Sequence, residues 1–489
     1  MLHPAAGLGI LLSLFAVGCT VGPNYQRPQT PVPQTWAQDS NGLTADPVNV
    51  AQWWTLFDDA QLGSLVDRAV RSNKDLQLAE ARIRQARAQR RVAASSGLPM
   101  LNANGSYSRI KRSSAFSSSL GAGTTGGTSG FFGGTGSGGL DLFQTGLDAS
   151  WEIDVFGGVR RSVEAANANI AASQENLNDV LVTLLGEVAA NYFEVRGNQR
   201  RIEIARRNVE TQRQTVDLAQ GKFEAGLGSR LEVVQAEALL ATTESQIPAL
   251  DTAVKQSIHQ LGVLLGSEPG TLLQELSPPK PMPPSPPEVP IGLPSDLLRR
   301  RPDIRRAERQ LAAATAQIGV AVADLFPKLS LTGSAGYQST KASQLIRPSS
   351  DFWSFGPGLT LPLFSGGQIR GNIQVQTALQ QQALVTYEST VLTALQDVEN
   401  AIAAYADTQA AHEALTRAVD ANRQAAQISY DLYQKGLTDF LNVLQSEGAL
   451  YQVEDQLMQN EQQTLTALVA LFKALGGGWQ IPPEGAWEF

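Results

Sequence analysis

The chain spells out nearly the same half-protein twice, and this duplication limits its fold more than any other feature. KFEAGLGSRLEVVQAE at 222–237 and YQKGLTDFLNVLQSE at 433–447 superpose at a spacing of 210. The superposition matches Gly226/Gly436, Leu227/Leu437, Leu231/Leu441, Val233/Val443, Gln235/Gln445 and Glu237/Glu447. Gly157-Gly158 and Arg161 precede Gly366-Gly367 and Arg370 by 209, and Pro99 in SSGLPMLNANGSYS answers Pro327 in ADLFPKLSLTGSAGY. Solenoid units run to roughly 20–50 residues. A period this long marks a duplicated half, each running helix, two short strands, long helical hairpin.

The hairpins are set by a seven-residue hydrophobic spacing. Val188, Val195, Ile202, Val209, Val216 and Phe223 run outward, and Val233, Leu240, Ile247, Val254 and Leu261 return. In the second half Val391, Val398, Tyr405, His412, Val419, Ala426 and Tyr433 run outward, and Leu444, Tyr451, Met458, Leu465 and Phe472 return. Such spacing makes a coiled-coil seam. Arg160 to Phe223 is roughly 95 Å long if helical at about 1.5 Å per residue, so the hairpin must project from any compact domain. Pro248 is expected to kink or interrupt the first returning arm.

The period switches to two in FQTGLDASWEID and LSLTGSAGYQ, giving each strand one apolar and one polar face. Lengths near 10 suit a tilted bilayer crossing of roughly 9–11 residues, although any half-buried sheet alternates too. The partner strands Leu101–Ile110 and Phe352–Leu363 are weaker, and Pro357 is awkward inside one. Ser113–Gly139, with 10 glycines in 27 residues, reads as a surface loop. The helical stretch Ala60–Ser95 ends at Gly97-Pro99. Nine prolines between Pro278 and Pro294 make an extended strap between the halves.

At 489 residues, with 42% hydrophobic and 17% charged, the chain has ample material for a core. A net charge of −8 does not suggest a nucleic-acid partner. No apolar run reaches about 18 residues, so any crossing of a membrane must be by strands. Cys19 is the one cysteine and follows the apolar stretch Leu8–Val17, the pattern of a leader cut just before a cysteine that is then lipidated with palmitate-type chains. Met1–Pro4 lacks Lys or Arg and Ala16 stands where such leaders carry Leu, which leaves the start of the leader open. One lipidated terminus anchors without spanning.

The reading divides the chain as follows: a leader at 1–18, a lipidated extended arm at 19–59, a first repeat at 60–276, a proline-rich linker at 277–296, a second repeat at 297–476 and a tail at 477–489. Within the repeats, strands fall at about 101–112, 141–154, 329–339 and 352–363, and hairpins at about 160–266 and 367–475. Four strands do not close a barrel, and lipid does not tolerate an open sheet edge. Three copies would pool twelve strands, a workable pore, and twelve helices to continue its wall.

CTVGPNYQRP at 19–28, WEIDVFGGVRR at 151–161, RRRPDIRRAERQLAAATAQIGVAVADLFPKLSLTG at 299–333, LPLFSGGQIRG at 361–371 and both hairpin turns resemble signatures of the TolC-like outer-membrane efflux proteins. The resemblance extends from Cys19 to about Trp479 and is closest to the lipoprotein branch that serves resistance-nodulation-division pumps. It implies a mostly α fold with a small β part, and a homotrimer with a twelve-stranded outer-membrane barrel and a periplasmic helical barrel. It also implies a periplasmic adaptor and an inner-membrane transporter as partners.

The resemblance places a gate at the hairpin tips, 223–232 and 433–442. Asp439 fits either an acidic ring about a three-fold axis or the N-cap of the returning helix, and the family's acidic constriction position aligns better with Thr438. Arg230 and Lys435 fit ion pairs of a closed state or solvated tip charges. Tyr430 and Tyr433 fit cross-helix hydrogen bonds, as in family gates, or seam packing. Gly226-Leu227-Gly228-Ser229 and Gly436-Leu437-Thr438 are candidate adaptor contacts, with an exposed Leu as a knob; a helix-terminating contact is the alternative.

No catalytic constellation, paired metal ligands or cofactor loop is present. His3, His259 and His412 are the only histidines, and the FGG and SGG turns are too short to cradle phosphate. Arg299-Arg300-Arg301 reads as a solvated or ion-paired face rather than a nucleic-acid site. The leading expectation is a passive exit duct for a tripartite multidrug pump. A type I secretion or metal-efflux duct, and a non-transporting trimeric coiled-coil surface protein, stand as alternatives.

Overall fold

The computed structural model describes residues 20–37, 43–44, 50–111, 139–286, 289–290 and 292–480. Cys19, the leader before it and 112–138 of the Gly-rich segment lie outside the described residues. The chain resolves into two compact units. One comprises Met1–Gln26, Arg87–Ala168 and Ala312–Gln381; the other comprises Arg27–Ala86, Asn169–Leu311 and Gln382–Phe489.

The first unit is organised by a four-stranded antiparallel sheet, β1 (Met100–Ile110), β2 (Leu140–Ile153), β3 (Lys328–Ser339) and β4 (Asp351–Thr360), in the order β1-β2-β3-β4. Leu147 sits opposite Ala103 on one side and Ala335 on the other, so odd-numbered residues of every strand share one face. That face carries Leu147, Trp151, Leu329, Phe355 and Leu359. The even face carries polar groups that bond across strands: the Asn104 amide donates to Asp148 at 2.5 Å, and the Ser334 and Ser354 hydroxyls meet at 2.8 Å. The strand expected to reach 363 stops at Thr360. Pro357 lies opposite Leu331 in this outermost strand, where a missing N–H does not break an interior ladder.

A second feature of this unit is an arginine knot around the N-terminal arm. The Arg161 side chain is almost fully buried and donates to the carbonyls of Val21 (3.1 Å) and Gly22 (3.3 Å), to Asn24 Oδ1 (2.7 Å) and to Glu164 (2.7 Å). The approach is tight enough that a Cβ on Gly22, whose φ is +88°, would stand 2.5 Å from the Gly319 Cα. Arg370, its counterpart in the second repeat, is exposed.

The longer helices are α1 (Ala60–Ser72), α2 (Lys74–Ser95), α3 (Gly158–Glu224), α4 (Arg230–Leu264), α5 (Pro302–Ala323), α6 (Gln368–Gln434) and α7 (Phe440–Ala474). Two expectations need correction. The stretch 60–95 is two helices, because Asn73 leaves the helical conformation and its side-chain oxygen accepts from the N–H groups of Asp75 (2.8 Å) and Leu76 (3.0 Å). Pro248 does not interrupt α4, which runs unbroken through it.

The second unit holds the main core. Trp53 stacks on Phe472 with ring centroids 5.3 Å apart, Phe57 meets Phe193 at 5.0 Å, and the seam residues Val188, Val195, Val391, Val398 and Leu465 are buried beside them. Each such side chain contributes roughly 1.5–3 kcal/mol by leaving water. The duplication is visible in the ion pairs: Arg213–Glu244 in the first hairpin and Arg423–Glu454 in the second are both 2.8 Å long. Buried Arg196 fastens the start of the proline-rich linker by donating to the Pro278 carbonyl at 3.0 Å.

Replacing Arg161 by Ala leaves the Val21 and Gly22 carbonyls without their donor, at a cost of roughly 2–3 kcal/mol for bonds to a charged group. Limited proteolysis is expected to cut Arg161→Ala within the arm under conditions where the parent protein stays intact.

Candidate functional site: the hairpin tips

Both hairpins turn on the same backbone device. Helix α3 ends with Gly226 at φ +70°, and α6 ends with Gly436 at φ +71°. The Gly226 N–H donates to the Phe223 carbonyl (3.0 Å) and the Leu227 N–H to the Lys222 carbonyl (2.8 Å). The same pair recurs from Gly436 to Tyr433 (3.0 Å) and from Leu437 to Leu432 (2.9 Å). This paired pattern is the Schellman helix stop, which needs a residue free to take positive φ. In that motif the residue after the glycine commonly packs back on the helix, but Leu227 is 79% and Leu437 70% exposed. The helix-terminating contact is therefore absent, and both leucines stand out from the tips.

Beneath the turns lies a small apolar cluster of Ala219, Val233, Ala236, Tyr433, Phe440 and Val443, with Tyr430 half-buried against it. Tyr433 is its polar centre. Its hydroxyl donates to Glu232 Oε2 at 2.7 Å, and its ring lies 5.1 Å from that of Phe440. The Lys222 ammonium sits 3.7 Å from the ring centroid and also donates to the Tyr433 carbonyl. Tyr433 of the second hairpin is thus held by both ends of the first. Burial, then the bond to Glu232 and its negative charge, push the phenol well above its ordinary pKa, so it remains a donor. A phenol–carboxylate bond contributes roughly 1.5–3 kcal/mol and a cation–π contact about 0.5–2 kcal/mol.

The other expected site residues are placed less centrally. Asp439 has the backbone of an N-cap, but its carboxylate accepts no bond from the first turn of α7. Ser229, its counterpart, does cap α4 through the Glu232 N–H at 3.3 Å. Thr438 accepts from the Asn442 amide at 2.8 Å. Arg230 and Lys435 are exposed, and within the chain neither makes an ion pair among the described residues. The Tyr430 hydroxyl likewise has no hydrogen-bond partner among the described residues. A Cβ on Gly228 would stand 3.1 Å from Glu232 Oε2 and 3.2 Å from the Lys222 Cβ, so any larger residue there crowds the Tyr433 site.

Sequence reasoning missed Glu232, Lys222 and Glu447. Glu447 is buried on α7 and accepts from the Thr215 hydroxyl at 2.6 Å, while its other oxygen has no partner. Burial raises its pKa, opposed in part by the Thr215 bond. The one available signal was its match to Glu237, and that residue is exposed.

A family model described as outer membrane efflux protein matches residues 65–267 and 293–477. The chain belongs to the outer membrane efflux protein family. This family member is 33% identical over 468 residues to Nodulation protein T of Rhizobium leguminosarum bv. trifolii, covering 96% of each chain. It is 32% identical to the cation efflux system protein CusC of Escherichia coli O6:H1, covering 98% of this chain and all of that one. Its fold superposes on the solved outer-membrane channel OprN with a TM-score of 0.84 at 36% identity, covering 94% of this chain and 100% of that one. The protein is accordingly an outer-membrane channel of the efflux type, mostly helical with a small sheet.

For Glu447 the fold binds a proton more tightly than the unfolded chain, so the stability it confers is complete at low pH and falls as pH rises through its raised pKa. Glu447→Gln is expected to flatten that decline, seen as a smaller drop in thermal midpoint between acidic and neutral pH than in the parent protein.

Proposed function

We propose that this protein is the passive exit duct of a tripartite multidrug efflux system. The observation that carries the reading is the sheet. Its four strands have one apolar and one polar face, and among the described residues both its outer edges are unpaired. Lipid leaves no room for unpaired backbone N–H and C=O groups, so such a sheet reaches the bilayer only by closing with others. Three copies give twelve strands, with the odd face to lipid and the even face to water. The hairpins continue the wall into the periplasm, and Cys19 carries the lipid anchor.

The tips form the resting gate and the docking site. Tyr433 holds the second hairpin against Glu232 and Lys222 of the first, and opening requires these contacts to part. The exposed Leu227 and Leu437 meet the periplasmic adaptor, which links the duct to an inner-membrane transporter of the resistance-nodulation-division class. Asp439, with no capping bond to make, supplies a carboxylate near the three-fold axis, where like charges favour cations. Arg230 and Lys435 are left for contacts between subunits. The cation-efflux relative favours a metal-exporting pump as the alternative client, which deletion tests with drugs and with metal salts separate.

Single-channel recording in planar bilayers, on detergent-extracted protein whose mass has been measured, tests the duct. Small cation-selective pores are expected, and Tyr433→Phe or Glu232→Gln should enlarge them by releasing the latch. A stable trimer that conducts in neither form would overturn the reading in favour of a non-transporting surface protein. In cells, Leu227→Ser combined with Leu437→Ser is expected to abolish drug efflux while trimers persist in the outer membrane. Undiminished resistance in that strain would remove the tips as the adaptor site.

A further inference from the structure

In the first half of the chain, the turn from β2 into α3 is a seat for the N-terminal arm. The Val21 N–H donates to the Phe156 carbonyl at 3.2 Å, and a Cβ on Gly157, whose φ is +81°, would stand 2.9 Å from the Thr20 Cα. Arg161, one turn into α3, closes over the arm through the Val21, Gly22 and Asn24 oxygens, and Glu164 pairs with its charge at 2.7 Å.

The second half repeats this turn without the arm. Gly366-Gly367 and Arg370 are the counterparts of Gly157-Gly158 and Arg161. Ile153 pairs with Leu329 and Leu329 with Leu359, so both turns leave the sheet at the same end and level. A Cβ on Gly366 or Gly367 would meet no atom within 4 Å. Arg370 is exposed and has no partner among the described residues. Its surroundings have also lost their charges. Glu164 is answered by Ile373, Arg160 by Ile369 and Asp154 by Pro362, and between 352 and 387 Arg370 is the one charged residue. Phe156 stacks on Phe326 at 4.7 Å, whereas its counterpart Phe364 is 92% exposed, beside Leu363 at 89%.

We infer that the turn 361–370 is a phospholipid site: Arg370 takes the phosphate of a headgroup on the periplasmic leaflet, and Leu361, Leu363 and Phe364 lie among the acyl chains. The site presupposes the membrane placement of the sheet proposed above. Peptide carbonyls suit Arg161, whose charge is already paired. A guanidinium that keeps its whole charge, with exposed apolar side chains beside it, calls for an anion with apolar chains attached. A phosphodiester offers two oxygens to the guanidinium fork. Depth agrees, because the equivalent turn seats residues 20–24, directly after Cys19, the proposed acylation site. One half thus holds a covalent lipid and the other a free one.

Photo-cross-linking reads the occupant. The full lipidated chain carries p-benzoylphenylalanine in place of Phe364 or, as a reference, of Trp353, which is 77% exposed on the apolar face of β4. The probes are phosphatidylglycerol and diacylglycerol, each a minor component of micelles of an uncharged maltoside detergent. Adducts are identified by mass spectrometry, and chain-to-chain products by denaturing electrophoresis. Position 364 is expected to take phosphatidylglycerol about tenfold over position 353, as a charge-assisted contact should give. Arg370→Gln should remove that excess and Arg370→Lys recover part of it. Diacylglycerol, which has the chains without the phosphate, should show no excess.

Equal yields at 364 and 353, or an excess that survives Arg370→Gln, would overturn the site. A chain-to-chain product at 364 in place of the lipid adduct would give the turn to a second copy instead. Failure of position 353 to take either detergent or lipid would remove the membrane placement of the sheet itself, whatever position 364 does.

Discussion

Backbone hydrogen bonding at the two edges of one small sheet governs the rest of this molecule. Among the described residues of a single chain the outward-facing N–H and C=O groups of β1 and β4 have no ladder partner, and an apolar solvent would charge several kcal/mol for each group left bare. The proposed assembly follows from that constraint rather than from any large apolar patch. The polar face follows too, since cross-strand pairs such as Asn104–Asp148 need water or one another. Pro357 fits here as well, in the strand where a missing donor is least disruptive.

The duplication is faithful in its scaffolding and divergent at its tips. Arg213–Glu244 and Arg423–Glu454 repeat with the same length, as do the two glycine turns. These pairs are partly solvent-exposed and each contributes at most about 1 kcal/mol, so they record ancestry more than they set stability. Equivalent tip positions differ between the repeats in the bonds they make. Tyr433 answers Phe223, which has no hydroxyl; buried Glu447 answers exposed Glu237; Asp439 answers the capping Ser229. In the proposed trimer, six similar tips would thereby carry these bonds only three times each.

Much of this was readable from residue order. The heptad spacing located most of the seam, with Val188, Val195, Val254, Val391, Val398 and Leu465 buried, because a side chain recurring every seven positions stays on one helix face; at the tip Phe223 is exposed. The alternation in FQTGLDASWEID located β2 because the strand period is two. Other features depended on partners distant in the chain. Asn73 breaks the helix through bonds to its own neighbours, yet its amide is fixed by the Leu264 carbonyl. Tyr433 was singled out, but Glu232 and Lys222 were not, since their roles arise only when one hairpin end lies beside the other. Asp439 occupies the backbone position of a cap without making the bond, a distinction that spacing does not carry.

The arginine knot has a consequence for how the protein sits in its leaflet. Arg161 grips the carbonyl of Val21, and the Val21 N–H donates to the Phe156 carbonyl at 3.2 Å. Cys19, the proposed acylation site, is two residues from Val21 along the chain, a reach of at most about 7 Å at roughly 3.5 Å per extended residue. An anchor that short is not a leash. In the proposed lipoprotein it acts as a depth gauge, setting the height of the arginine knot against the inner surface of the bilayer to within about two residues' length.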